Sequence, residues 1–114
     1  MICTIDKEKL KNRSLKVLLS SRMCPDCKSE DEDEMMRLIR EHCSKREDFL
    51  PPLLLLKEVI FRIVLKNGSI DIEKLEEEVK SYLLKTKDTR RVSRDFLIKV
   101  IEKDNFYGLS LKES

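Results

Sequence analysis

Four cysteines and one histidine hold most of the chemistry this chain can offer. Cys24-Pro25-Asp26-Cys27 is a C-x2-C, the spacing that lets two thiolates reach one ion through a tight turn, and so supplies half of a tetrahedral zinc site. The other half must come from Cys3, Cys43 or His42. Adjacent residues on a continuous helix point about 100° apart, so at most one of His42 and Cys43 is expected to ligate. The closed set is then Cys3, Cys24, Cys27 and Cys43, with His42 as the substitute for one of them. Zinc there would be structural and would staple the N-terminal part to itself. The same C-x2-C can serve as a thiol redox pair when it opens a helix after a strand of a βαβ unit, but Ser14 to Met23 reads as helix. In a third reading Cys3 and Cys43 are small buried hydrophobes and the C-x2-C is only a loop.

Catalysis finds little support beyond those thiols. His42 has no Ser or Asp partner identifiable by spacing. A chain with two glycines carries no P-loop, no dinucleotide fingerprint and no nucleophile elbow. The acidic run Glu30 to Glu34 lacks the glycine turn and oxygen pattern of a calcium loop and reads as a solvated helix start. The expectation is a protein that is not an enzyme.

The elements that must position these residues follow from composition and spacing. At 114 residues the chain has room for one compact domain, or one with a small appendage. Lys and Arg number 24 against 22 Asp and Glu, so the 40% charged fraction mixes both signs and excludes a uniformly basic coat or a wholly acidic disordered chain. Two Gly and three Pro suit packed helices and argue against a β-sandwich. Charge is nevertheless segregated: residues 1–22 and 85–114 are net basic, and 23–49 net acidic. The start lacks an apolar stretch behind basic residues, which predicts a cytoplasmic rather than a secreted protein. The run from Leu53 to Leu65 is too short for a bilayer and contains Lys57, Glu58 and Arg62, so no membrane span is expected.

Pro51-Pro52 sets a boundary near residue 49, dividing a helical element over 1–48 from a second part over 49–114 that packs against it. Residues 6–20 read as a basic amphipathic helix. Ser29 opens a capping box before the helix carrying Met35, Met36, Ile39 and Cys43. Residues 53–65 are apolar almost all round, with Glu58, Arg62 and Lys66 as a narrow polar ridge, which places that helix at the centre of the fold or in a dimer interface. Asn67-Gly68 stops it. Asp71 caps the next helix, with Ile70 and Leu75 as a hydrophobic staple and Glu76–Lys80 as an outer pair. Ser93 caps a last helix facing inward through Leu97, Val100 and Ile101, and Leu109 and Leu111 alternate in a short strand.

The run Leu54-Leu55-Leu56-Lys57-Glu58-Val59-Ile60-Phe61-Arg62-Ile63-Val64-Leu65-Lys66-Asn67-Gly68 with Ile72-Glu73-Lys74-Leu75, then Val92-Ser93-Arg94-Asp95-Phe96-Leu97-Ile98-Lys99-Val100-Ile101 and Asp104-Asn105-Phe106-Tyr107-Gly108-Leu109, resembles winged helix-turn-helix domains of the type associated with the RNA polymerase delta subunit. The resemblance covers residues 53–111 in helix order and apolar spacing. It implies a mainly α fold, with a three-helix winged-helix-like domain ending in a short strand, and a small DNA-binding or transcription-associated factor. Its recognition helix would run from Ser93 to Lys103, with Arg94 and Lys99 facing outward and Lys85, Lys87, Arg90 and Arg91 placed for phosphate contacts. The alternatives are a protein-interaction module or homodimer built on the apolar helix 53–65, and the thiol redox protein.

Overall fold

The most apolar segment of the chain becomes its central helix. In the computed structural model, which describes residues 1–10 and 13–113, α3 spans Leu56–Asn67 and buries Val59, Ile60, Phe61, Ile63, Val64 and Leu65. It starts later than the apolar run because Pro51-Pro52 and a φ of 69° at Leu53 keep the chain out of the helical region. Leu53 and Leu55 are left 89% and 74% exposed. The sides of α3 expected either at the centre or in a dimer interface are taken up by the core. Its polar ridge is split: Glu58 is buried and Arg62 half-buried, while Lys66 is exposed. Gly68 ends the helix with φ 81°, the stop that Asn67-Gly68 predicts.

The local signals downstream are realised closely. Asp71 caps α4 (Ile72–Lys85) by accepting the Glu73 N–H at 2.9 Å. Ile70 and Leu75 are both buried, as a staple requires, and Lys80 meets Glu76 at 2.8 Å. Ser93 caps α5 (Arg94–Glu102) by accepting the Phe96 N–H at 3.2 Å, and Leu97 and Ile101 point into the core.

The N-terminal part departs further from expectation. Ile2–Ile5 is a strand, β1. The helix expected over 6–20 is reduced to a 3-10 turn at Lys7–Leu10 and to α1 (Leu15–Ser20), with Lys11 and Asn12 outside the described residues. Helix α2 (Glu32–Glu41) is capped by Asp31, which accepts the Glu34 N–H at 3.0 Å, not by Ser29. Ser29 sits two residues earlier and accepts the Asp31 N–H at 3.1 Å. Strand β1 lies between β2 (Ile70–Asp71) and β3 (Leu109–Lys112), antiparallel to both, with Cys3 opposite Ile70 and Leu111. The strand expected after the last helix thus pairs with the N-terminus. One core runs through residues 1–48 and 49–114, joining Cys3, Leu19 and Ile39 to Phe61, Leu75 and Leu97. The architecture is mainly helical with a small antiparallel sheet. Among the described residues no helix is long and apolar enough to cross a membrane.

The turn from α5 into β3 is fixed by a buried carboxylate. Asp104 accepts the N–H groups of Phe106, Tyr107 and Leu109 at 2.9–3.2 Å, and Lys9 donates to the carbonyls of Ile101 and Leu109. Gly108 takes φ 77° there, and its carbonyl accepts the Asp6 N–H at 2.7 Å. A Cβ on Gly108 would stand 2.8 Å from the Asp6 carbonyl oxygen. Gly108→Ala should therefore destabilise the fold by about 2 kcal/mol or more, the combined cost of a positive φ and a backbone clash. A urea midpoint equal to that of the unmodified protein would refute this.

Candidate functional site

The C-x2-C lies in the loop between α1 and α2. The Cys27 N–H donates to the Cys24 carbonyl at 3.1 Å and closes a turn with Pro25 in its second position, where the proline ring already has the required φ. Helix α2 then carries the chain back. Its last residue is Glu41, and His42 leaves the helical region at φ −125°, ψ −61° before a 3-10 turn begins at Cys43. That break removes the 100° offset expected between His42 and Cys43, and both side chains reach the loop.

The donor atoms of Cys24, Cys27, His42 and Cys43 all lie within 4.8 Å of one another. The sulfurs of Cys24 and Cys27 are 3.3 and 3.2 Å from Nδ1 of His42. The Cys24 N–H donates to the Cys43 sulfur at 3.2 Å, a contact that stabilises a thiolate there. A tetrahedral zinc with its usual bond lengths needs sulfur–sulfur edges of about 3.8 Å and sulfur–nitrogen edges of about 3.5 Å. The four donors have that chemistry and lie within about an ångström of those edges, so this is a Cys3His cluster able to bind a metal ion. Cys24 and Cys43 are buried, Cys27 half-buried and His42 exposed.

Cys3, expected in the ligand set, is placed elsewhere. It is fully buried in the middle strand of the sheet, where burial pushes its thiol up to about 12. The histidine named as substitute takes the fourth position. Within the cluster, burial opposes ionisation of Cys24, but hydrogen bonds from Cys43 and Cys27 outweigh it and hold Cys24 down to about 7. Burial and the neighbouring thiol of Cys24 push Cys27 up to about 12, and burial raises Cys43 as well. One proton thus leaves readily, and a cation is what allows the other thiols to follow. The C-x2-C follows a helix and does not open one, unlike the strand-to-helix setting of a redox pair.

The cluster is anchored to the core by a charged network that sequence reasoning missed. Arg22, two residues before Cys24, grips Glu58 of α3 at 2.6 and 3.0 Å. Arg62 donates to the same carboxylate at 2.7 Å, and the Tyr107 hydroxyl at 2.8 Å. The one signal in the sequence was a Glu and an Arg four apart on an otherwise apolar helix. Arg46 lies 3.6 Å from Asp26 inside the C-x2-C turn and 3.1 Å from Asp48.

The six residues expected to meet nucleic acid divide in two. Arg90 is tied to Asp88 at 2.8 Å and to the Leu54 carbonyl at 2.8 Å. Arg94 is tied to Glu76 at 3.0 Å and Glu73 at 3.5 Å. Lys85, Lys87, Arg91 and Lys99 are exposed and, among the described residues, form no ion pair. No protein-family model, curated protein or solved structure matches the chain.

Proposed function

We propose that the protein is a non-catalytic DNA-binding factor whose N-terminal part is stapled by a structural zinc ion at Cys24, Cys27, His42 and Cys43. The single observation that carries the zinc reading is the convergence of those four donors within 4.8 Å. Three thiolates and a neutral histidine around zinc would give the centre a net charge of about −1. With all four positions taken by the protein, the ion would have no open site for substrate, which favours a structural role.

The DNA reading is supported by helix order. Helices α3, α4 and α5 share one core and β3 follows the third, the order on which the winged-helix resemblance rests. Strand β1 would take the place of a second wing strand. The phosphate contacts would fall to Lys85, Lys87 and Arg91, and Lys99 on α5 would approach the groove. Anisotropy titrations of a random-sequence duplex over a salt series test this. Four neutralised phosphates give a log–log slope of about −3.6, and Lys85, Lys87, Arg91 and Lys99 all changed to Ala should flatten it. No binding at low salt, or binding indifferent to those four changes, would reject the DNA reading and leave the zinc reading standing.

A further inference from the structure

The three thiols of the cluster are not equally placed. Cys24 and Cys27 both line a depression of about 510 Å³ with Met23, Pro25 and Lys28, and Cys27 is the one of the three that is only half-buried. Cys43 is 1% exposed and takes no part in that depression. The bond from the Cys27 N–H to the Cys24 carbonyl closes a four-residue turn, and such a turn holds the Cα atoms of its end residues within about 7 Å. A disulfide spans Cα separations up to about 6.8 Å, so the turn places Cys24 and Cys27 at the reach of one. Cys43 is engaged differently, its sulfur accepting the Cys24 N–H and its backbone opening the 3-10 turn after α2.

Ligation changes what these sulfurs can do. Thiols that hold a cation are held as thiolates, and the thiolate is the form an oxidant attacks. Ligation also decides which parts of the chain are tied together. An ion at all four donors would join the loop at Cys24 and Cys27 to His42 and Cys43 at the end of α2, which packs against α1 and α3. A bond between Cys24 and Cys27 closes only the turn that a hydrogen bond closes already. Crosslinks stabilise less as the loop they close shortens, so replacing the first tie by the second frees the end of α2.

We infer that the cluster is a peroxide-sensitive switch, in which hydrogen peroxide joins Cys24 to Cys27 as a disulfide and the zinc ion leaves; the inference rests on the zinc reading of the same four residues. The Cys27 thiolate, reached through the depression, attacks one peroxide oxygen, the O–O bond breaks and hydroxide departs, leaving a sulfenic acid. The Cys24 thiolate attacks that sulfur, the S–O bond breaks and a second hydroxide departs. Peroxide has then taken two electrons, and both sulfurs are neutral. The ion keeps only His42 and Cys43, too few to hold it. No strand-to-helix setting is needed, because the pair reacts once per ion and catalyses no exchange.

Hydrogen peroxide added to the zinc-loaded full chain tests this, read by a chromogenic zinc indicator and by peptide mapping. One zinc ion should be released for each peroxide consumed. Trypsin should then give residues 23–28 as one peptide with its disulfide intact, since cleavage falls after Arg22 and Lys28 and both cysteines lie between. Residues 41–45 should carry Cys43 as a free thiol open to alkylation. The oxidised chain should unfold at the lower urea midpoint of the chelator-treated one, and dithiothreitol with added zinc should reverse every change. Cys3→Ser, outside the cluster, should release zinc at an unchanged rate. Zinc retained under peroxide, a disulfide that includes Cys43, Cys27 driven on to sulfinic acid, or an oxidised chain as stable as the zinc form would each overturn the inference and leave the zinc reading standing. A chain that takes up no zinc would remove both.

Discussion

Glu58→Gln should be among the most damaging single substitutions in this protein, lowering stability by about 3–5 kcal/mol, because it leaves two guanidinium groups in a half-buried site without their anion. Arg22 and Arg62 both end on that carboxylate, and their side chains are only 11% and 19% exposed. Water cannot replace the lost partner there. Tyr107, its ring tilted at 4.9 Å from Phe61, adds the fourth hydrogen bond to that carboxylate, after two from Arg22 and one from Arg62. Burial by itself would raise the Glu58 carboxyl, but hydrogen bonds from Arg22, Arg62 and Tyr107 prevail and bring it to about 2.

That depressed value fixes the sign of the acid response. Above the ordinary carboxyl range Glu58 is ionised in folded and unfolded chains alike, and its full contribution is present. Between about 4.5 and 2 the unfolded chain takes up a proton that the folded chain refuses, so stability falls, in total by about 3 kcal/mol from this group. Urea midpoints recorded from pH 6 to pH 2.5 should fall steeply in the native sequence. In Glu58→Gln they should start low and lose that component of the slope. Equal slopes in the two proteins would show that the network is not the acid-labile element.

With zinc at the cluster as proposed, its removal is the second large effect. An excess of chelator should lower stability by about 4 kcal/mol, the mass-action contribution of a ligand present at a thousand times its Kd. It should expose the sulfurs of Cys24, Cys27 and Cys43 to a thiol reagent, leaving Cys3 unreactive until the chain unfolds. Substitution sorts the ligands: Cys43→Ser and Cys24→Ser should lose bound zinc on purification, and Cys3→Ser should keep it. Zinc lost from Cys3→Ser and kept in Cys43→Ser would return the site to the set that spacing alone suggests.

The caps of α4 and α5 and the stop at Gly68 were legible in the sequence because each depends on residues two to four apart. Asp71, Ser93 and Asn67-Gly68 carry their instructions within one turn of chain. The Cys3His cluster was legible in three of its four members, with His42 read only as a substitute. The fourth was misjudged because the angle between His42 and Cys43 was taken from a continuous helix, whereas the helix ends at Glu41. Ser29 lost the cap to Asp31 in a stretch where several side chains can accept the first free N–H groups. Strand β1 was not legible at all: Ile2-Cys3-Thr4-Ile5 is a strand only because Ile70 and Leu111 lie on either side of it, and pairing at that separation leaves no local mark.

The position of that strand also constrains how the protein can be made. Residues 2–5 leave the ribosome well before one of their two neighbours in the sheet, residues 109–112, is synthesised. During translation Ile2, Cys3 and Ile5 must wait unpaired while the helices that will surround them are still emerging. The sheet, and the core that closes over it, can be completed only after residue 112 has cleared the exit tunnel. Until that moment the nascent chain carries an apolar segment within reach of any holding chaperone.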